Sequence, residues 1–195
     1  MSARDEILAA VRVARPPHVV LPEPGGFAAE NLDLVADFAA VLNAAGGRSI
    51  SVSTDAELSE QIRICTEGRS RIVSRIPSAR DAEPSDDRYA ESLASVDVAI
   101  VPGRLGVAEN GAVWLTEADL GARVLSVIAP LLVIVLPRDA IVPTMHEAYE
   151  ALRHDIPGFG QFVAGPSKTA DIEQSLVIGA HGARETTVIL VGRAP

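Results

Sequence analysis

Six consecutive aliphatic residues, 131–136, constrain the fold of this chain more than any other feature of its sequence. A strand with one solvated face alternates apolar and polar residues, whereas a strand buried on both faces is apolar throughout. The run therefore predicts a central strand of a sheet that is covered on both sides. The longer apolar stretch 124–136 contains Ser126 and Pro130 and is too short to cross a bilayer.

Helical and strand patterns alternate in the first half of the chain. Residues 27–45 carry a helical apolar stripe and end at a Gly-Gly pair, and residues 49–52 read as a strand. Thr54 then caps a second helical pattern, and residues 71–73 form the next apolar strand. This β-α-β succession predicts a parallel sheet between layers of helices.

The connection between two further strands, 96–101 and 112–115, is too short for a crossover helix. We therefore expect these strands to pair antiparallel, with residues 187–191 as the last strand of the sheet. The predicted fold class is α/β: a three-layer α/β/α arrangement with a mixed, mostly parallel sheet, plus an N-terminal helix.

Three segments are predicted along the chain. Residues 1–17 form a helix that Ser2 caps and a Pro-Pro pair ends, and residues 18–26 form a Pro- and Gly-rich linker. Residues 27–195 form one α/β domain, a length that is ample for a hydrophobic core. We expect the first helix to pack on a neighbouring element or on another subunit.

The net charge of −9 argues against nucleic acid and anionic membranes as general partners. The first residues mix charged and apolar side chains and lack the apolar core of a signal peptide, so we expect a cytoplasmic protein. The single cysteine, Cys65, provides neither a disulfide nor an iron–sulfur site, and the four histidines lack metal-ligand spacing. We therefore expect no intrinsic cofactor or metal.

A polar stretch near the C-terminus is the first candidate site. It combines a Gly-Pro turn, two hydroxyl side chains, a lysine, and two acidic residues suited to the first turn of a helix that Thr169 would cap. A strand, turn and helix in this order would direct free backbone N–H groups at an anion. The other interpretation is a capped helix with a solvated lysine. The residues assigned to the site are Gly165, Ser167, Lys168, Thr169, Asp171 and Glu173.

The loop Glu109-Asn110-Gly111 is the second candidate. A glutamate between two strands can form an acyl intermediate, move a proton or bind a substrate hydroxyl. The alternative is a hairpin loop in which Asn110 and Gly111 supply a positive φ. His181, flanked by two small residues, is a candidate for proton transfer or anion binding, or a loop histidine bonded to backbone.

The stretch 165–173, followed by Gly-Ala-His-Gly at 179–182, resembles the C-terminal signature of the lactate utilization protein C family, whose common unit is the LUD domain. Weaker similarity extends over about residues 22–191. Two positions depart from the family pattern: Lys168 stands where arginine is usual, and Thr187 stands where histidine is common. Lysine keeps the charge of arginine but not its bidentate geometry.

The resemblance implies a fold of the NagB/RpiA/CoA transferase-like class and a part in bacterial oxidation of lactate to pyruvate. Iron–sulfur clusters would then lie in partner proteins, and this chain would bind a small carboxylate or a phosphate-bearing ligand. Two alternatives stay open. One is a stand-alone acyl- or CoA-transferase-like enzyme that uses Glu109, since the Glu-Asn-Gly loop is similar to the nucleophile loop of coenzyme A transferases. The other is a non-catalytic assembly subunit, and a homo-oligomer is compatible with each.

Overall fold

The computed structural model of the chain describes residues 2–17, 19–20, 33–77, 79, 83–84, 90–153, 158–170 and 175–192. The predicted linker 18–26 lies almost wholly outside these ranges, as does the predicted start of the second helix at residues 27–32.

Seven α-helices occur in the described ranges. They are α1 (Ala3–Val13), α2 (Leu34–Ala44), α3 (Asp55–Thr66), α4 (Ala90–Leu93), α5 (Glu117–Leu120), α6 (Leu125–Ile128) and α7 (Met145–Leu152). None of the helices in these ranges combines the length and the apolar character needed to cross a membrane.

Twelve strands accompany the helices in the same ranges. They are β1 (Arg48–Val52), β2 (Ile72–Ser74), β3 (Glu83–Pro84), β4 (Val98–Pro102), β5 (Leu105–Val107), β6 (Ala112–Thr116), β7 (Leu131–Pro137), β8 (Ile141–Val142), β9 (Gly160–Val163), β10 (Lys168–Thr169), β11 (Val177–Ile178) and β12 (Glu185–Val191).

The central sheet has six strands in the order β1-β12-β7-β4-β2-β3, and every neighbouring pair is parallel. Strand β7 contains the aliphatic run and lies between β4 and β12, as the sequence predicts. The predicted α/β class, with a mainly parallel central sheet and an N-terminal helix, is therefore confirmed.

The two faces of this sheet have separate hydrophobic cores. The even-numbered residues 132–136 of β7 lie in one cluster with Phe38 and Leu42 of α2. The odd-numbered residues 131–135 pack in the other with Leu58 and Ile62 of α3. Because successive residues of a strand point to opposite faces, one apolar strand contributes to both cores.

Strand β6 does not pair with β4, so the predicted antiparallel pair within one mixed sheet is wrong. Strand β6 pairs antiparallel with β5 and β9 in a second sheet of order β8-β5-β6-β9. The intervening strand β5 turns the chain out of the central sheet, and a Cβ at Gly103 would lie 2.6 Å from Val113 of β6. The second sheet is thereby packed on the even-numbered face of the first.

Helix α1 begins at Ser2, whose hydroxyl and backbone N–H form a capping box with Asp5. None of its residues is buried, and Ile7 and Val11 are more than half exposed. The helix is stabilised locally by its cap rather than by contact with the described part of the domain.

Asp119 links the short helix α5 to the second sheet. Its carboxylate accepts hydrogen bonds from the N–H of Thr116 at 2.9 Å, from the hydroxyl of Thr116 at 2.6 Å, and from Nε of Arg104 at 2.8 Å. The Asp119 side chain is 6% exposed, whereas that of Arg104 is 51% exposed. The ion pair therefore combines a buried carboxylate with a largely solvated cation.

We expect Asp119→Asn to lower the free energy of unfolding by about 1–3 kcal/mol, because Arg104 and Thr116 lose a charged acceptor. Denaturant unfolding followed through Trp114 fluorescence measures this change. Glu60→Gln, which removes an exposed pair with Arg63 on α3, is the control and should leave stability nearly unchanged. An equal loss in both variants would contradict the assignment.

The same carboxylate should make stability depend on pH. Burial alone would raise the pKa of Asp119, but hydrogen bonds from Arg104 and Thr116 outweigh burial and hold the pKa below its ordinary value. Stabilisation from a lowered pKa is complete above the unfolded-state pKa and is lost as the pH falls through the folded-state pKa. The stability difference between wild type and Asp119→Asn should therefore shrink from about pH 6 to about pH 3. A constant difference over this range would show that the ionised form is unimportant.

Candidate functional site

Residues 165–167 are hydrogen-bonded on both sides to the segment that precedes β12. The N–H of Ser167 donates to the carbonyl oxygen of Ala183, and the N–H of Gly179 donates to the carbonyl oxygen of Ser167, both at 2.9 Å. Gly165 has φ +79°, a value that favours glycine. These bonds bring the two halves of the sequence signature, 165–169 and 179–182, into direct contact.

Lys168 and Thr169 differ from the sequence expectation. They form strand β10, which pairs antiparallel with β11, instead of a turn and a helix N-cap. The pairing partner, the apolar segment at Val177 and Ile178, offered these residues backbone hydrogen bonds that local helix signals do not reveal. Asp171 and Glu173, the predicted first helical turn, lie outside the described residues.

A cavity of about 260 Å³ lies beside this segment. Gly165, Ser167 and His181 all line it, so the structure brings together three of the predicted site residues. Gly182 makes this approach possible, since a Cβ there would lie 2.8 Å from Cβ of Ser167. The lining residues are Ser126, Val127, Gln161, Phe162, Val163, Ala164, Gly165, Pro166, Ser167, His181, Gly182 and Ala183.

Gln161 is a lining residue that the sequence interpretation missed. It belongs to edge strand β9, and its Nε2 atom is buried without a hydrogen-bond partner in the described part of the chain. Ser126 also lines the cavity, but its hydroxyl donates to the carbonyl oxygen of Arg123 at 3.0 Å. The one signal for Gln161 in the sequence was a polar amide directly before two apolar strand residues.

Lys168 is exposed and does not line the cavity. Its Nζ atom lies toward the C-terminal end of α2, where a Cβ at Gly46 would be 3.4 Å away. A cation beside a helix C-terminus interacts favourably with the helix dipole. The ammonium group of Lys168 is therefore placed to stabilise the end of α2. Thr169, like Lys168, is not among the residues that line the cavity.

Glu109 lies in the loop between β5 and β6, outside the cavity lining. Its carboxylate accepts a hydrogen bond of 2.9 Å from the N–H of Met145, the first residue of α7. Its own N–H donates to the carbonyl oxygen of Pro143 at 3.0 Å. A carboxylate at this position satisfies a free N–H of the first helical turn and complements the helix dipole.

Asn110 and Gly111 shape the same loop. The side-chain oxygen of Asn110 accepts from the N–H of Ala112 at 3.0 Å, and Gly111 has φ +66°. A Cβ at Gly111 would lie 2.8 Å from the backbone nitrogen of Leu42 in α2. Close contact with a helix backbone and a positive φ both require glycine here.

Two further residues bear on possible chemistry. Thr187, one of the two positions noted in the sequence as departures from the expected family pattern, is 5% exposed within β12. Cys65, in α3, is partly buried against the core of the odd-numbered face, and burial raises the pKa of its thiol. Within the described ranges, no three His, Cys, Asp or Glu side chains are placed to hold a metal ion.

We expect Glu109→Ala to lower the free energy of unfolding by about 0.5–2 kcal/mol, because the N–H of Met145 loses its acceptor. Glu109→Gln should cost less, since its amide oxygen still accepts a hydrogen bond. Glu150→Ala, on the exposed side of α7, is the control and should have little effect. Thermal and denaturant unfolding of the three variants test this role, and a Glu109→Ala variant as stable as wild type would refute it.

Comparison with known proteins finds relatives of this chain both by sequence and by fold. Residues 51–191 match the LUD domain family. Lactate utilization protein C 1 of Bacillus mycoides is 31% identical over 112 residues, which are 54% of this chain and 47% of that protein. Lactate utilization protein C of Geobacillus sp. is 34% identical over 109 residues, which are 53% and 44% of the respective chains. The chain thus matches about half the length of these curated relatives.

The crystal structure of a DUF162 family protein from Deinococcus radiodurans has the same fold. It superposes with a TM-score of 0.65 at 23% identity and covers 82% of this chain and 97% of its own. Because the family match extends over residues 51–191, which are most of the chain, the chain belongs to the LUD domain family.

Proposed function

We propose that this chain is a component of a bacterial lactate utilization system and binds a small carboxylate in the cavity lined by Ser167 and His181. The family match and the names of the Bacillus and Geobacillus relatives support the system. The residues that line the cavity support a small carboxylate as the ligand.

The observation that carries the proposal is the buried, unpartnered Nε2 of Gln161 beside two other polar side chains. A buried N–H donor without an acceptor costs about 1–3 kcal/mol, and a ligand oxygen would remove that cost. Ser167 and His181 add a hydroxyl and an imidazole that can also donate. A carboxylate offers only acceptors, and its two oxygens match several donors that line one cavity.

The size of the cavity agrees with a small ligand. Pockets for drug-sized ligands and cofactors have volumes of about 300–1,000 Å³, so a cavity of about 260 Å³ suits a small organic acid. A small phosphate-bearing molecule is the other ligand class that the same donors accommodate. The apolar lining from Val127 and Phe162 would contact a short carbon chain.

Oxidation of lactate to pyruvate removes two electrons and two protons from the substrate. An iron–sulfur cluster is usually held by four cysteine thiolates, and this chain has one cysteine. We therefore assign electron transfer to iron–sulfur partner proteins and substrate or product binding to this chain. Glu109 has a positional role in this proposal, because its carboxylate is hydrogen-bonded to the start of α7.

Calorimetric titration with lactate and with pyruvate tests the ligand class. We expect Ser167→Ala to weaken binding about 2- to 12-fold, the equivalent of one neutral hydrogen bond. Gln161→Leu, which keeps the side-chain size and removes the donor, should weaken it by a similar or larger factor. Lys168→Ala is the matched control, since its ammonium group lies toward Gly46 and should leave the affinity unchanged.

Two results would contradict the proposal. One is the absence of binding of lactate, pyruvate and small phosphates to the wild-type chain. The other is a larger loss of affinity in Lys168→Ala than in Ser167→Ala and Gln161→Leu, which would place the anion at the lysine instead of in the cavity. Thermal unfolding of each variant without ligand separates lost affinity from lost folding.

A further inference from the structure

Arg138 is a charged residue whose guanidinium group has no partner in the described part of the chain. Its Nε atom is buried without a hydrogen bond, and no ion pair there involves this side chain. A buried donor without an acceptor destabilises the fold, and a donor on a charged group does so more strongly. An unpaired group of this kind therefore needs a physical reason.

The position of Arg138 in the fold provides a physical reason for its unpaired Nε atom. The residue directly follows β7, at the carboxyl end of the parallel sheet. A Cβ at Gly192, which follows the neighbouring strand β12, would lie 3.8–4.0 Å from Cβ, Cγ and Cδ of Arg138. Gly192 in turn donates its N–H to the carbonyl oxygen of Val52, the last residue of β1, at 3.2 Å. Arg138, Gly192 and Val52 therefore lie across the ends of three adjacent strands.

The chain leaves the sheet in opposite directions on the two sides of β12. Strand β1 continues into α3, which packs on the odd-numbered face of the sheet. Strand β7 continues to β8, whose Ile141 is in the core of the even-numbered face. Where connections diverge in this way, an open parallel sheet has a crevice outside the carboxyl ends of its strands, and α/β proteins bind ligands there.

We propose that this crevice is a second binding site, for the oxyanion of a phosphate or carboxylate group, with Arg138 as its anchor. A guanidinium group binds such an anion side-on through Nε and one terminal nitrogen, so the ligand would supply the acceptor that Nε lacks. Gly192 leaves the flank of the arginine stem free of a side chain.

The second site is separate from the cavity at Ser167. That cavity includes Ala183, and the next residue, Arg184, donates its N–H to the carbonyl oxygen of Pro130, directly before β7 begins. Arg138 follows the other end of β7. The seven residues of β7 span about 23 Å, so the two sites lie at opposite ends of the parallel strands.

Nuclear magnetic resonance of arginine Nε–H groups in the full chain tests the site without requiring a variant to fold. The probes are inorganic phosphate and acetate at constant ionic strength. The Arg138 signal is assigned by its disappearance in Arg138→Met, a variant that keeps the unbranched stem beside Gly192. We expect this signal to shift saturably with at least one of the two probes, while the exposed Arg63 signal stays in place.

Calorimetry with the same probe provides the second measurement. Arg138→Met should weaken binding at least about tenfold, the equivalent of one charge-assisted hydrogen bond. Arg63→Met should have no effect, and Ser167→Ala should leave the Arg138 shift unchanged. Saturation with phosphate indicates a phosphate-bearing ligand, and saturation with acetate alone indicates a carboxylate. The proposal is overturned if the Arg138 signal does not shift with either probe, or if Arg63 shifts along the same curve.

Discussion

Burial of β7 on both faces is the constraint on which the rest of this structure depends. Leu132 and Ile134 are fully buried on one side and Val133 on the other, so helices or sheets must cover both faces. Backbone groups of a buried strand also need partners on both edges, and β4 and β12 provide them as parallel neighbours. Parallel pairing in turn requires connections that cross from one end of the sheet to the other. These connections place chain segments with polar groups at the amino ends and at the carboxyl ends of the strands.

Polar groups lie at both ends of the parallel strands, and the surroundings of these groups differ between the two ends. At the amino ends of the strands, the backbone of Ser167 is hydrogen-bonded to the segment that enters β12, which holds Ser167 in the lining of the cavity that also includes Gln161. At the carboxyl ends of the strands, the stem of Arg138 lies beside Gly192, where a Cβ would be 3.8–4.0 Å away. The first arrangement suits a pocket for a small molecule, and the second suits an anion-binding side chain at the end of a strand.

Sequence reasoning succeeded where local pattern and burial agree. The aliphatic run predicted β7, and the Gly-Gly pair after α2 predicted the helix end, where Gly46 has φ +88°. It was wrong for the pairing of β6 and for the helix expected to begin at Thr169, because both depend on backbone pairing with strands that local sequence signals do not reveal. Gln161 was missed for the same reason, since only the folded structure places its amide in a cavity without an acceptor. That Ser167 and His181 line one cavity was accessible only through the family signature, which contains both residues without showing that they lie close together.

Helix α2 explains why the loop that carries Glu109 lies close to the segment that carries Gly165 and Ser167 and yet is separate from it. Gly111, in the Glu109 loop, lies against the backbone of Leu42. A Cβ at Gly165 would lie 3.3 Å from the carbonyl oxygen of Ala45. Leu42 and Ala45 are three residues apart, about 4.5 Å along a helix axis. Both loops therefore rest on one turn of the same helix, and glycine permits each contact. Glu109, however, is hydrogen-bonded toward α7, and Ser167 toward β12. Because one helix supports both loops while their hydrogen bonds lead to different elements, the separation of the loops is fixed. The cavity at Ser167 is accordingly lined by β9 and by residues 181–183, which precede β12, and not by Glu109.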